Sequence, residues 1–230
     1  MSSAHIAALI MAAGRGERFA GGASKQLALV GGRPMVAWSI ERLANCPDIE
    51  HVILVIPPAQ SDAWRATLAE PSGELVNGVV EGGERRQDSV RLGVEALPEA
   101  TTHVLIHDAA RPCLSSELLA RIVGALRNND AVVPVIPVVD TLAVEDGGAV
   151  GAIVDRANIA CVQTPQAFEK QLALRAHRKA FADGLVSSDD GSLVLALGEK
   201  VKTIPGDRTN IKVTYEEDVA IAEEILSHMR

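Results

Sequence analysis

Aromatic side chains are scarce in this chain: three Phe, two Trp and one Tyr, 3% of its residues. Single-stranded nucleic acids are held on aromatic stacking platforms, and this composition offers none. Positive charge is also in short supply. Against 30 Asp and Glu stand 22 Lys and Arg, a formal net charge of −8, and affinity for a polyanion such as DNA rests on cationic surface. Cysteine is rarer still. Cys46, Cys113 and Cys161 are far apart and form no C-x-x-C pair or Cys/His cluster, so neither a disulfide framework nor a structural zinc site is signalled. The apolar run in the amino-terminal stretch MSSAHIAALIMAAG is too short for a membrane span and lacks a basic leader. A first buried strand is its expected role, with no membrane or nucleic-acid partner and a reducing cytoplasm as the expected location.

Hydrophobic residues make up 47% of the 230, enough for a sizeable core built from Ala, Val, Leu and Ile. Short Val/Ile-rich runs at His5–Ala13, His51–Ile56, Leu75–Val80, Val104–His107 and Ala131–Val138 read as strands. Between them, Pro34–Ala44, Ala59–Ala69, Gln87–Leu97 and Ser115–Leu126 have helical spacing. This alternation predicts an α/β fold: a Rossmann-like, mostly parallel twisted sheet with helices on both faces. From Asp140 to Ala160 the pattern changes, with EDGGAVG as a turn between two apolar stretches, which predicts a projecting β-hairpin. Helices are expected at Gln166–Phe181, Asp189–Ala196 and from about Tyr215, the last with the capping-box spacing of Thr214 and Glu217, and a strand at Lys200–Ile204. There is no internal repeat and no linker, so residues 1–230 are expected to form one domain.

The stretch LIMAAGRGERFAGGASK follows the first strand. It lacks the Gly-Lys-Ser/Thr of a Walker loop, and Phe19 stands where a dinucleotide fingerprint needs its third glycine. Gly14 and Gly16 let backbone N–H groups approach an anion. Arg15, Arg18 and Lys25 add cations beyond what a dinucleotide needs, which points to a triphosphate. Three further motifs follow strands or precede helices: EGGERRQDSV at Glu81–Val90, HDAARP at His107–Pro112 and DRTNIKVT at Asp207–Thr214.

Taken in order, AAG-x-G-x-R with the later KQ, GG-x-x-R-x-x-SV, HDAARP, Asp140-Thr141 with Asp155-Arg156, Thr164–Gln166 and NIKVT resemble the 2-C-methyl-D-erythritol 4-phosphate cytidylyltransferase family over residues 12–214. The resemblance implies transfer of the cytidylyl group of CTP to 2-C-methyl-D-erythritol 4-phosphate, a step of the non-mevalonate route to isoprenoids. It implies that Arg18 and Lys25 stabilise charge on the α-phosphate, and that Arg156 and Lys212 position the acceptor. Ala12, Ala13, Gly14, Gly16, Gly83, Ser89 and Ala109 would contact the nucleotide; Asp108, Arg111, Thr141, Thr164 and Ser188 would lie around the sugar and acceptor. It also implies a Mg²⁺ or other divalent ion held mainly by the CTP phosphates, and a homodimer. In that dimer the 139–160 arm would embrace a second subunit and carry Thr141 and Arg156 to its acceptor site.

The chemistry fits the residues. A phosphate monoester is mostly dianionic at neutral pH, its second pKa being ~6, so the nucleophile needs no general base, and no Ser-His-Asp or Cys-His set is evident. The difficulty is bringing two polyanions together, for which Arg18, Lys25, Arg111, Arg156 and Lys212 supply cations. Ser188 stands where relatives often have Thr and keeps the hydroxyl; Glu84 stands where some have a shorter Asp. Some relatives add a zinc-dependent cyclase domain, whose ligands are not expected here. Ribitol 5-phosphate as acceptor, or a catalytically silent nucleotide-binding protein, are the alternative readings. His107 is expected to be a structural hydrogen-bonder, Cys113 a packing residue, Trp38 and Trp64 core or helix–sheet contacts, and Glu216–Asp218 a helix's first turn, where the dipole favours carboxylates.

Overall fold

The computed structural model describes residues 4–14, 25–68 and 72–229. Its chain order is β1 (Ile6–Met11), a 3-10 turn at Lys25–Leu27, β2 (Leu29–Val30), β3 (Arg33–Pro34), α1 (Met35–Ala44), β4 (Ile49–Ile56), α2 (Ser61–Thr67), β5 (Gly78–Glu81), α3 (Arg86–Glu95) and β6 (His103–Asp108). There follow α4 (Ser116–Leu126), β7 (Ala131–Pro137), β8 (Leu142–Asp146), β9 (Ala149–Val154), β10 (Ala160–Val162), β11 (Gln166–Glu169), α5 (Lys170–Asp183), α6 (Asp190–Ala196), β12 (Lys202–Pro205) and α7 (Glu217–His228).

Among the described residues, eight strands form one sheet. β1 lies at its centre between β4 and β6, parallel to both, and β5 extends it beyond β4. Every residue of β1 is buried, as expected of a parallel strand covered on both faces. The two-residue period sorts its side chains. Ile6, Ala8 and Ile10 join α1, α2 and α4 through Ile40, Trp64 and Ile122. Ala7, Leu9 and Met11 join α3, α5 and α6 through Val94, Leu172 and Leu193 on the other face. Each such aliphatic side chain contributes about 1.5–3 kcal/mol by leaving water. Gly93 lets α3 settle against the sheet: a Cβ there would meet Leu9 at 3.0 Å and Val55 at 3.1 Å.

Helix boundaries follow local chemistry. The Ser115 hydroxyl accepts the Leu118 N–H at the start of α4, and the Glu169 carboxylate accepts the Gln171 and Leu172 N–H groups at the start of α5. α5 stops at Gly184, whose φ of 68° is left-handed backbone that glycine adopts without strain.

The sheet corrects several sequence-based boundaries. Residues 166–169 belong to a strand rather than to the start of a helix. β6 and β7 are not paired to each other; β11 lies between them, antiparallel to both, with Ala167 facing one core and Phe168 the other. β5 begins at Gly78, because Leu75 and Val76 lie in a turn before it. The expected capping box of Thr214 and Glu217 does not form. The Asp218 carboxylate instead accepts the N–H groups of Thr214 and Tyr215.

The hairpin is present as expected. Among the described residues β8 and β9 pair only with each other, and the two residues between them, Gly147 and Gly148, have φ of 57° and 85°, the backbone of a tight hairpin turn. Along this arm Val144, Val150 and Ile153 are more than half exposed.

Candidate active site

The carboxyl ends of β1, β5 and β6 point the same way, and the chain turns away from each strand there, as parallel sheets do at ligand sites. Together with the Lys25–Leu27 turn and Lys212, these ends enclose a cavity of about 360 Å³. Ala13 and Gly14 line it from β1, Gly83 and Ser89 from the turn between β5 and α3, and Asp108 and Ala110 from β6.

Glycines bring two of these loops together. A Cβ on Gly82 would lie 2.6 Å from Ser89 Oγ and 2.7 Å from the Ala13 Cβ; one on Gly83 would lie 2.7 Å from the Asp88 Cβ. The Gly83 N–H donates to Ser89 Oγ at 3.0 Å, and that hydroxyl donates to the Arg85 carbonyl at 3.1 Å. Gln26 Nε2 donates to the Gly14 carbonyl at 3.1 Å, tying the 3-10 turn to the end of β1. Lys25, on that turn, is buried in the cavity wall.

A row of alternating charges runs from the cavity lining into the protein. Lys212 Nζ donates to Asp108 Oδ2 at 2.7 Å, and Arg86 Nε donates to Asp108 Oδ1 at 3.1 Å. The terminal nitrogens of Arg86 pair bidentately with Asp190, at 2.9 and 2.8 Å. Burial by itself would raise the Asp108 carboxyl, but Arg86 and Lys212 outweigh it and hold the group well below the usual carboxylate range. Asp190 is lowered likewise, burial being overcome by Arg86 and His177. Arg86 is pushed above the usual guanidinium value, burial being outweighed by its two carboxylates.

Beneath Asp108 a neutral network fixes the backbone. His107 is wholly buried; Nε2–H donates to the Arg111 carbonyl at 3.1 Å, which leaves Nδ1 to accept the Thr164 hydroxyl at 3.1 Å. Thr164 Oγ1 in turn accepts the Asp108 N–H at 3.0 Å. Burial lowers the His107 pKa to about 4. His107 is therefore the structural hydrogen-bonder its sequence context suggests. Cys113 is fully buried and its thiol is pushed up to about 12 by burial, in keeping with a packing residue.

The expected site residues divide into five groups. Lys25, Lys212, Ala13, Gly14, Gly83, Ser89 and Asp108 meet at the cavity. Arg18 and Gly16, with Arg15, lie outside the described residues. Ala12, Ala109 and Thr164 are buried just behind the cavity surface, and Arg111 donates from Nη1 to the Asn210 carbonyl at 2.8 Å beside them. Thr141 and Arg156 are not among the lining residues: Thr141 opens the arm, and Arg156 follows β9 and donates to the Val139 carbonyl. Ser188 is exposed on the turn into α6, between Ser187 and the capping residue Asp189. Arg85, Arg86 and Asp190 were not singled out by sequence. For Arg86 a signal existed, since it is the arginine of GG-x-x-R-x-x-SV; Asp190 had none.

The family model for 2-C-methyl-D-erythritol 4-phosphate cytidylyltransferase matches residues 6–228. The protein of that name from Syntrophus aciditrophicus is 35% identical over 223 residues, which cover 96% of this chain and 95% of its own length. A bifunctional enzyme IspD/IspF from Rhodospirillum rubrum is 41% identical over 223 residues; that is 96% of this chain but 57% of the relative, so the chain spans little more than half of it. Among solved structures, the 2-C-methyl-D-erythritol 4-phosphate cytidylyltransferase of Thermus thermophilus superposes with a TM-score of 0.80 at 35% identity, covering 95% of this chain and 98% of its own. The 4-diphosphocytidyl-2C-methyl-D-erythritol synthase of Anaerococcus prevotii gives 0.83 at 32%, covering 99% and 100%. On the family match and these near full-length likenesses, the chain belongs to the 2-C-methyl-D-erythritol 4-phosphate cytidylyltransferase family.

Proposed function

We propose that this cavity carries out the cytidylyl transfer of the family, moving the CMP unit of CTP onto 2-C-methyl-D-erythritol 4-phosphate with release of pyrophosphate. The observation that carries the proposal is the meeting of Lys25, Arg86 and Lys212 with the Gly83 turn in one pocket. Backbone groups of Ala13, Gly14 and Gly83 suit a cytosine edge, and the cations suit a triphosphate facing a phosphate monoester. The acceptor phosphate attacks the α-phosphorus in line with the leaving pyrophosphate. Lys25, with Arg18, stabilises the charge that grows on the α-phosphate oxygens; Lys212 and Arg156 hold the acceptor. No proton has to be removed from the nucleophile, which suits a site in which the imidazole next to Asp108, His107, is a structural hydrogen-bonder.

Magnesium belongs to the proposal as a supporting charge. Both oxygens of Asp108 are engaged by Arg86 and Lys212, while Glu84 lines the cavity and is exposed. These donors fit an ion carried chiefly by the triphosphate, where it neutralises phosphate charge. The apolar residues exposed along the β8–β9 arm support a homodimer in which the arm is covered. Among the described residues no helix is long and apolar enough to cross a membrane, and the cytoplasm is the proposed location.

Pyrophosphate release measured with CTP, UTP and ATP, each with the methylerythritol and ribitol phosphates, tests the reading. The expected result is activity with CTP and the methylerythritol ester; equal rates with ATP would sink it, and preference for ribitol 5-phosphate would reassign the acceptor. Lys25→Ala is expected to lower turnover by roughly 10²–10³-fold while the fold survives. Near-normal turnover in the folded variant would remove Lys25 from the mechanism.

A further inference from the structure

We propose that Asp190 is a positioning residue for Lys212, acting through Arg86 and Asp108. The inference rests on the reading of the cavity given above, with Lys212 as an acceptor contact. Asp190 is the first residue of α6, is 2% exposed, and is itself absent from the cavity lining. Its two oxygens take both terminal nitrogens of Arg86. Arg86 therefore reaches Asp108 on Oδ1 alone, at 3.1 Å. Oδ2 stays available, and Lys212 occupies it at 2.7 Å.

The geometry sets up a competition. A guanidinium fork and a carboxylate prefer a bidentate pairing. Without the Asp190 charge, the fork of Arg86 is free to take both oxygens of Asp108, and the Lys212 ammonium loses its anchor. Asp190 thus holds Lys212 in place from the far end of a four-charge row, by occupying the residue that would displace it. His177 closes the row: Nε2 lies 3.4 Å from Asp190 Oδ1, and Nδ1–H donates to the Gln87 carbonyl at 3.2 Å.

A purely structural role for Asp190 would be to tie the turn before α6 to α3. That tie exists independently. Gln87 Nε2 donates to the Leu185 carbonyl at 2.8 Å, and Gln87 Oε1 accepts the Ser187 N–H at 2.8 Å. Neither bond involves Asp190, so its effect on Lys212 is separable from the tie of the turn.

The test is a set of full-length variants: Asp190→Asn, Asp190→Glu, Arg86→Lys, Lys212→Ala and the combination of Asp190→Asn with Lys212→Ala. Steady-state constants are measured for CTP and for the acceptor separately, with thermal unfolding alongside. Asp190→Asn is expected to lower kcat/KM for the acceptor by roughly tenfold while KM for CTP moves less than about threefold. Asp190→Glu, which restores the charge, should recover part of the loss. The double variant should be no worse than Lys212→Ala alone, because the two act on one contact. Multiplicative losses, or equal damage to both substrates, would show Asp190 to be structural and overturn the proposal. If Asp190→Asn unfolds, it is repeated in the Arg86→Lys background, where no fork remains to displace Lys212 and Asp190→Asn should cause no further loss for the acceptor; a further loss there would overturn the proposal. An unimpaired Lys212→Ala would overturn the reading of the cavity, and this inference with it, whereas an impaired Lys212→Ala beside multiplicative losses would overturn the inference alone.

Discussion

The Lys212 ammonium lies 2.7 Å from Oδ2 of Asp108, 104 residues earlier in the chain. That contact joins the segment before α7 to the end of a central strand, and it makes Asp108 a carboxylate shared by two cations. Asp108→Asn removes the negative charge and leaves Arg86 and Lys212 with one fewer partner. Arg86 keeps its pairing with Asp190 and Lys212 reaches solvent, so the cost is that of losing charge-assisted hydrogen bonds, about 1.5–3 kcal/mol. The expected outcome is a clear loss of stability in urea unfolding together with a fall in kcat/KM for the acceptor of roughly 10²-fold. A variant with wild-type stability and wild-type kinetics would show that Asp108 carries neither function.

The Gly82 turn gives a second expectation. Any side chain there collides with Ser89 Oγ and the Ala13 Cβ at 2.6 and 2.7 Å. Gly82→Ala must push the β5–α3 turn away from β1, at a cost of about 1–3 kcal/mol. Since Ala13, Gly83 and Ser89 all line the cavity and are the residues expected at the nucleotide, KM for CTP should rise more than KM for the acceptor. An unchanged KM for CTP would mean that the turn does not shape the nucleotide pocket.

His107 predicts a pH dependence with a definite sign. Its pKa falls from 6.5 to about 4 on folding because burial disfavours the charged ring. Between these values the unfolded chain binds a proton that the folded chain does not. Unfolding free energy therefore decreases as pH drops from 6.5 towards 4, by up to about 3 kcal/mol. His107→Gln removes this titration, so its unfolding free energy should vary less steeply over that window than the wild type's. Parallel curves for the two proteins would count against a neutral buried His107.

Much of the fold was legible because it rests on short-range patterns. β1, β4, β6 and β7 are runs buried on both faces, and their Val/Ile content and Gly/Pro borders say so without further context. β11 was not legible, because Gln166–Glu169 joins a helix without a break, and what makes it a strand is the slot between β6 and β7. The site divides in the same way. Lys25, Gly83, Asp108 and Lys212 sit beside glycine turns or in dense motifs, where chemistry marks the residue type. Asp190 lies among serines and acids that read as a helix start, and only the fold brings Arg86, 104 residues away, onto its two oxygens.

The last expectation concerns the arm. Thr141 and Arg156 lie outside the cavity lining, yet the family resemblance implies that both serve an acceptor site. An isolated two-stranded hairpin is marginal in water, and this one exposes Val144 at 52%, Val150 at 69% and Ile153 at 65%. Burying three such side chains against a second copy would contribute about 1.5–3 kcal/mol each, and two-fold pairing is the commonest closed arrangement. If the arm carries Arg156 into the partner's cavity, each active site takes Lys25 from one subunit and Arg156 from the other. Lys25→Ala and Arg156→Ala should then each be nearly inactive alone. In a mixed dimer one site collects both substitutions and the other collects neither. Subunit exchange between the two inactive variants should therefore restore roughly a quarter of wild-type activity, since half of the dimers are mixed at equal input and each regains one of its two sites. The measurement is pyrophosphate release before and after exchange, with exchange followed by an affinity tag on one variant. Confirmed mixed dimers that stay inactive would place Arg156 in the same subunit as the site it serves.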